Sequence, residues 1–177
     1  MTDSGKITDR IEVCILAGGL SLRMGRDKSK LRLGGRTLLG HIRRTAKMLQ
    51  LPVRTIRRDL VPRCGPLGGI YTALKTTTAE SVLFLACDMP GVSDALLKAL
   101  LHRSENGSTS IFISANGIVG FPFLLRRADL PAVEKLLAEK QFSLQLLARK
   151  TRAKKFRPGR AFQSELLNAN TQADWVA

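Results

Sequence analysis

Apolar residues along this chain follow two alternating rhythms. Ile11-Glu12-Val13-Cys14-Ile15-Leu16 is a nearly continuous apolar run, and Val82-Leu83-Phe84-Leu85-Ala86 is a wholly apolar one. Strands buried on both faces of a sheet read this way. Between them, residues 37–49 place Leu38, Leu39, Ile42, Ala46 and Leu49 at helical spacing, and Gln50-Leu51-Pro52 ends the segment. The same reading predicts strands over 11–17, 52–56, 82–86, 110–114, 121–125 and 152–156. It predicts helices over 67–76, opened by Gly65-Pro66, from an N-cap at Ser93 through Leu101, and over 130–139 and 143–149. Strands alternating with helices predict an α/β fold, a three-layer α/β/α sandwich around a mostly parallel central sheet. With no internal repeat or linker, residues 11–177 are expected to form one domain behind a disordered segment 1–10. Residues 105–109 are a polar loop.

Composition narrows the class. At 177 residues the chain can bury a core without disulfides or metals, and 44% hydrophobic with 24% charged residues is the balance of a soluble globular protein. No apolar run is long enough to span a bilayer, and the polar start, with Asp3 and Asp9, has neither signal-peptide nor transit-peptide character. The cytoplasm is the expected location. Cys14, Cys64 and Cys87 lack metal-ligand spacing. Cys14 and Cys87 fall in strand-like runs as small hydrophobes, whereas Cys64, beside Gly65, remains a candidate reactive thiol.

The net charge of +15 bears on partners, because such a surface attracts polyanions. Residues 23–44 hold eight cations and one acid, Asp27, and residues 149–160 hold seven cations and no acid. A nucleotide with an anionic second substrate accounts for part of this charge and a solvated surface for the rest. Nucleic acid ranks last as a partner, since one Trp and one Tyr offer few stacking platforms.

The densest chemistry is Leu16-Ala17-Gly18-Gly19-Leu20-Ser21-Leu22-Arg23-Met24-Gly25-Arg26-Asp27-Lys28. A glycine-rich turn leaving a strand exposes backbone N–H groups that suit phosphate, and Arg23 and Lys28 add cations. It is not a Walker A loop: five residues separate Gly19 from Gly25, and Arg26-Asp27 precedes the lysine. No G-x-G-x-x-G occurs. Asp88 follows the buried run 82–86 and should emerge at the carboxyl edge of the sheet, where open α/β sheets bind ligands. A carboxylate there suits Mg²⁺, with a helix-capping or turn Asp as the plainer alternative. Asp59 lies among Arg57, Arg58 and Arg63 and by itself resembles half of a surface ion pair. The glycines of Gly65-Pro66-Leu67-Gly68-Gly69 suit close approach to a ligand or a structural turn. Asn168 and Asn170 project to one face if extended, where amides can bind phosphate, a pterin or a metal's water shell; a polar turn capping a final helix is the alternative. Neither His41 nor His102 occupies a motif.

The loop 16–28 resembles the signature loop of the molybdenum cofactor guanylyltransferases, within the larger group of sugar-nucleotide and cofactor nucleotidyltransferases. Asp59-x-x-Pro62-x-x-Gly65-Pro66-Leu67-Gly68-Gly69-Ile70, Cys87-Asp88-Met89-Pro90 and Asn168-Ala169-Asn170-Thr171-Gln172-Ala173-Asp174 match the same family in order. The resemblance implies a Rossmann-like nucleotidyltransferase fold, and transfer of GMP from GTP to Mo-molybdopterin with release of diphosphate. It implies nucleotide contacts from Leu16, Ala17, Gly18, Gly19, Lys28, Asp59, Gly65 and Asp88, and catalytic roles for Arg23, Lys28 and Asp88. It implies Mg²⁺ on Asp88, the acceptor on Asn168 and Asn170, and molybdoenzymes or their chaperones as recipients. Gly18-Gly19 is similar to the guanylyl branch, since the cytidylyl branch tends to Ala-Gly. The chain departs from the family in three places. The second strand and its terminal Asn are expected to be missing between Leu49 and Asp59, His-Pro stands as Phe121-Pro122, and Asn-Thr-Pro as Asn170-Thr171-Gln172. Two alternatives therefore stay open: a non-catalytic nucleotide- or molybdopterin-binding accessory protein, and a transferase using another nucleotide or phosphorylated acceptor.

Overall fold

The computed structural model describes residues 10–18 and 31–166. Its main sheet has six strands in the order β4-β1-β5-β7-β6-β8. These are β1 (Ile11–Leu16), β4 (Val53–Ile56), β5 (Ser81–Ala86), β6 (Ile111–Ala115), β7 (Ile118–Arg126) and β8 (Lys154–Phe156). The small strands β2 (Arg32–Leu33) and β3 (Arg36–Thr37) form a separate hairpin. β1 pairs in parallel with β4 and β5, and β6 in parallel with β8; β7 runs antiparallel to both β5 and β6. Five strands thus share a direction, and their carboxyl ends share one edge.

Helices cover both faces. α1 (Leu38–Lys47) and α3 (Asp94–Arg103) bury Leu39, Ile42, Leu96, Leu97 and Leu100 against Val13, Ile15, Leu83 and Leu85. α2 (Pro66–Thr76), α4 (Leu130–Ala138) and α5 (Leu144–Lys150) bury Leu67, Ile70, Leu74, Val133, Leu136 and Leu147 against Cys14, Val82 and Phe84 on the other face. Successive strand residues alternate between the two cores as the period of two requires, which is why β1 and β5 are apolar throughout. Phe123 stacks between Phe84 and Phe112, with centroids 5.1 and 4.4 Å away. Thr37, Ser93 and Ser143 cap α1, α3 and α5 by accepting from Gly40, Leu96 and Leu146 amides.

The expected strands and helices are present, shifted by up to three residues at their ends. Two local features exceed the expectation. Asn116-Gly117, at φ 49° and 79°, turns β6 into β7, the left-handed pair that a two-residue hairpin favours. Pro122 is tolerated inside β7 because Phe121 and Pro122 sit in a register shift, Phe112 facing Phe123 while Ile113 faces Gly120.

One expectation is overturned. The second strand of the family is not missing: β4 follows α1 and pairs with β1 from Val13↔Val53 to Leu16↔Ile56. Its signal is faint because an edge strand is covered on fewer sides, and only Ile56 of its four residues is fully buried. What the chain lacks is the terminal Asn, since Arg57-Arg58 follow Ile56 directly. Of the segment 1–10, Arg10 is described and pairs with Glu80 at 2.8 Å; residues 1–9 lie outside the described residues. No helix among the described residues is long and apolar enough to cross a membrane.

Candidate active site at the carboxyl edge

Three parallel strands deliver the site. Beyond β1, the Ala17 amide donates to Ile56 O at 2.9 Å, and beyond β5 the Cys87 amide donates to Leu16 O at 3.3 Å. Hydrogen bonding therefore continues one residue past each strand and holds Gly18, Arg57 and Asp88 along one rim. Gly18 is exposed, and a Cβ there would stand 2.8 Å from Arg57 O. Part of the demand for glycine at this position is thus the close passage of β4's exit, before any ligand is considered. Leu16 is buried, Ala17 half-buried, and Arg57 and Arg58 exposed.

Asp88 is half-buried just past β5, and no described side chain hydrogen-bonds or ion-pairs with its carboxylate. A hard cation that takes one carboxylate, with phosphate oxygens and water completing its shell, fits such a group. No cluster of three His, Cys, Asp or Glu exists among the described residues, so an all-protein metal cage is absent there.

Asp59 differs. Its carboxylate lies over the first turn of α2: a Cβ at Gly68 would meet Asp59 Oδ2 at 2.8 Å and Val61 O at 2.6 Å. A Cβ at Gly69 would meet Leu16 Cδ2 at 3.0 Å. These two glycines therefore admit the protein's own groups, which decides for the structural turn. Burial pushes the Asp59 carboxyl above the ordinary carboxylate range. Gly65, exposed at φ 55°, precedes Pro66 at the start of α2. Cys64 is buried, and its thiol donates to Pro62 O at 3.4 Å. Burial, and next the Asp59 charge, pushes that thiol up from its ordinary value. Cys14 is fully buried and pushed up to about 12, mainly by desolvation.

Farther along the same edge is a cleft of about 770 Å³ between the β6–β7 turn and the segment after β8. Ser114, Asn116, Arg157, Gln163 and Ser164 line it. The Ser114 hydroxyl is buried and has no hydrogen-bond partner among the described residues, an uncommon state for a native polar group. Two 3-10 turns, Arg160–Phe162 and Ser164–Leu166, carry the chain from this cleft toward the Asp88 loop, where Glu165 accepts from the Ser93 amide at 2.9 Å. Neither the cleft nor this crossing was expected, although Asn116-Gly117 marks the turn in the sequence.

Of the predicted site residues, Leu16, Ala17, Gly18 and Asp88 come together at the edge, with Asp59 and Gly65 beside them at the start of α2. Gly19, Arg23, Lys28, Asn168 and Asn170 lie outside the described residues.

The sequence model of the MobA-like NTP transferase domain matches residues 13–56 and 43–154. The chain belongs to this family. Its relatives include a probable molybdenum cofactor guanylyltransferase of Carboxydothermus hydrogenoformans, 30% identical over 93% of both chains. The molybdenum cofactor guanylyltransferase of Pseudomonas putida is 31% identical over 75% of this chain and 79% of its own. Among solved structures, molybdopterin-guanine dinucleotide biosynthesis protein A of Archaeoglobus fulgidus superposes with a TM-score of 0.67 at 19% identity, covering 93% and 94% of the two chains. The 2-C-methyl-D-erythritol 4-phosphate cytidylyltransferase of Thermus thermophilus gives 0.67 at 15% identity, covering 94% and 96%. Such structural likeness establishes the nucleotidyltransferase fold. The first matched stretch, residues 13–56, runs from β1 through α1 to the end of β4.

Proposed function

We propose that this protein transfers GMP from GTP to Mo-molybdopterin, giving Mo-molybdopterin guanine dinucleotide and diphosphate. The observation that carries this reading is the Asp88 carboxylate, without a side-chain partner among the described residues and set between the exit of β1 on one side and the 770 Å³ cleft on the other. The nucleotide lies along β4, β1 and β5, and the acceptor reaches in from the cleft. A terminal phosphate has a second pKa of about 6 and is largely dianionic at neutral pH. One of its oxygens attacks the α-phosphorus of GTP, an O–P bond forms, the bond to the β-phosphate oxygen breaks, and diphosphate leaves with its electron pair. No side chain need remove a proton, which accords with His41 being engaged elsewhere, its Nε2 2.8 Å from Leu33 O.

Alignment and charge neutralisation are then the protein's work. Arg23, Lys28 and the amides of the glycine loop hold the reacting phosphates, and Asn168 and Asn170 hold the acceptor. Asp88 would hold a Mg²⁺, which when bound supplies neutralisation of phosphate charge. The setting is the cytoplasm, and molybdoenzymes or their chaperones receive the product. The accessory-protein alternative loses its main support with the presence of β4.

The test is single-turnover transfer by the purified protein with Mg²⁺, Mo-molybdopterin and each of GTP, CTP and ATP. Diphosphate release with GTP alone is the expected result. Folded protein that binds GTP yet transfers with no nucleotide would establish the accessory reading, and preference for CTP or ATP would replace the donor.

A further inference from the structure

The ten residues 157–166 contain one acid, Glu165, with Arg157 and Arg160 close by in sequence. No described cation ion-pairs with it. Its Oε2 accepts instead from the backbone amide of Ser93, 72 residues away in sequence. Ser93 caps α3 with its hydroxyl, which accepts from Leu96 N, so the Ser93 amide itself precedes the helical bonding and needs an acceptor from outside. A carboxylate at a helix N-terminus also meets the positive end of the helix dipole.

Packing places this contact between two functional elements. Phe162 and Leu166 pack on the core shared by α1 and α3. Glu165 Cα lies 3.5 Å from where a Gly91 Cβ would be, so the crossing segment rests on the loop that begins at Asp88. Gln163, Ser164 and Leu166 line the cleft. One short segment is therefore clamped to the Asp88 loop and also forms a wall of the cleft.

We propose that Glu165 is a positioning residue for the acceptor. Its hydrogen bond to Ser93 fixes the cleft wall in register with Asp88, so acceptor binding depends on a carboxylate that touches no reacting atom. Identifying the occupant of the cleft as the acceptor rests on the function proposed above. Loosening the segment disturbs this wall of the cleft while the β1 exit keeps its own hydrogen bonds to β4 and β5.

The test compares wild type, Glu165→Ala and Glu165→Gln by equilibrium binding of Mo-molybdopterin and, separately, of GTP, with hydrogen exchange at the Ser93 amide. Glu165→Ala is expected to weaken Mo-molybdopterin about tenfold, leave GTP within about twofold, and speed exchange at Ser93. Glu165→Gln retains both properties, because its amide oxygen can accept the same bond. Equal weakening of both ligands, no weakening, a Gln variant as impaired as Ala, or wild type that fails to bind Mo-molybdopterin would each overturn the proposal. Wild type that binds both ligands but transfers nothing would sink the guanylyl-transfer reading and leave the Glu165 assignment to be decided by the affinity ratio.

Discussion

At the amino ends of the parallel strands, Glu12 of β1 holds Arg54 of β4 at 2.9 Å and accepts from the Thr77 hydroxyl at 2.8 Å. Arg54 also donates to Ala73 O at 3.1 Å and to the Thr76 hydroxyl. Nearby, Asp129 accepts from the Ser110 hydroxyl and from the Arg126 amide at 3.2 Å. At the carboxyl ends, among the described residues, Asp88 has no partner, the Ser114 hydroxyl has no hydrogen bond, and Arg57 and Arg58 stand exposed. Both edges hold cavities, since Glu12 and Arg54 line one of about 500 Å³. Space alone therefore does not separate them. The difference lies in the charges: at the amino edge Arg54 is ion-paired with Glu12, although its Nε, 2.9 Å from Glu12 Oε1, makes no well-aligned hydrogen bond, whereas Asp88, Arg57 and Arg58 have no ion pair among the described residues and stay open to a charged ligand.

Substitutions can break or sharpen this contrast. Asp88→Ala should have the largest effect, cutting guanylyl transfer about 10²–10³-fold in single-turnover assays with little change in melting temperature. Glu12→Ala should do the opposite. It strands a largely buried Arg54, lowering stability by about 2 kcal/mol, or roughly 4–8 °C for a chain of this size, with transfer at 25 °C intact. If Glu12→Ala cripples transfer in folded protein, the contrast fails. Ser114→Ala removes a buried hydroxyl with no hydrogen-bond partner among the described residues, and should raise stability by about 1 kcal/mol in denaturant titration of the ligand-free protein.

The smallest effect belongs to Asp59, where burial raises the folded-state pKa above the unfolded one. The protonated acid is favoured by folding, so its contribution is full below the ordinary carboxylate range and lost as pH rises through the folded pKa. Asp59→Asn should therefore gain stability relative to wild type between pH 3 and pH 7. A difference in melting temperature that stays flat over this range would remove Asp59 as a partly desolvated carboxylate.

Much of the fold was legible because both faces of β1 and β5 are covered, leaving uninterrupted apolar runs. β4 was harder, since Val53 and Ile56 are its only large apolar residues. The β2–β3 hairpin escaped notice, although Gly34-Gly35 marks its turn. Asp88 was legible as the residue after a buried strand. The cleft was not, because Ser114, Arg157 and Gln163 are far apart in sequence and carry no mutual spacing signal. The basic run 149–160 also reads differently in three dimensions, where Lys150 pairs with Glu139 at 3.1 Å and Lys154 with Glu105 at 2.6 Å. Lys154 and Lys155 lie on the edge strand β8, where charge guards against further strand pairing.

By itself the sequence determined the α/β class, the order of most elements, the family and the identity of Asp88, because each is written in local periodicity or in a contiguous motif. Only the tertiary structure decided that the 52–56 segment pairs with β1 as the sheet's edge strand, that Gly68 and Gly69 make room for Asp59 and Leu16, and that Glu165 reaches Ser93. Those facts depend on backbone pairing and close approach between distant segments, and such contacts leave no regular trace along the chain.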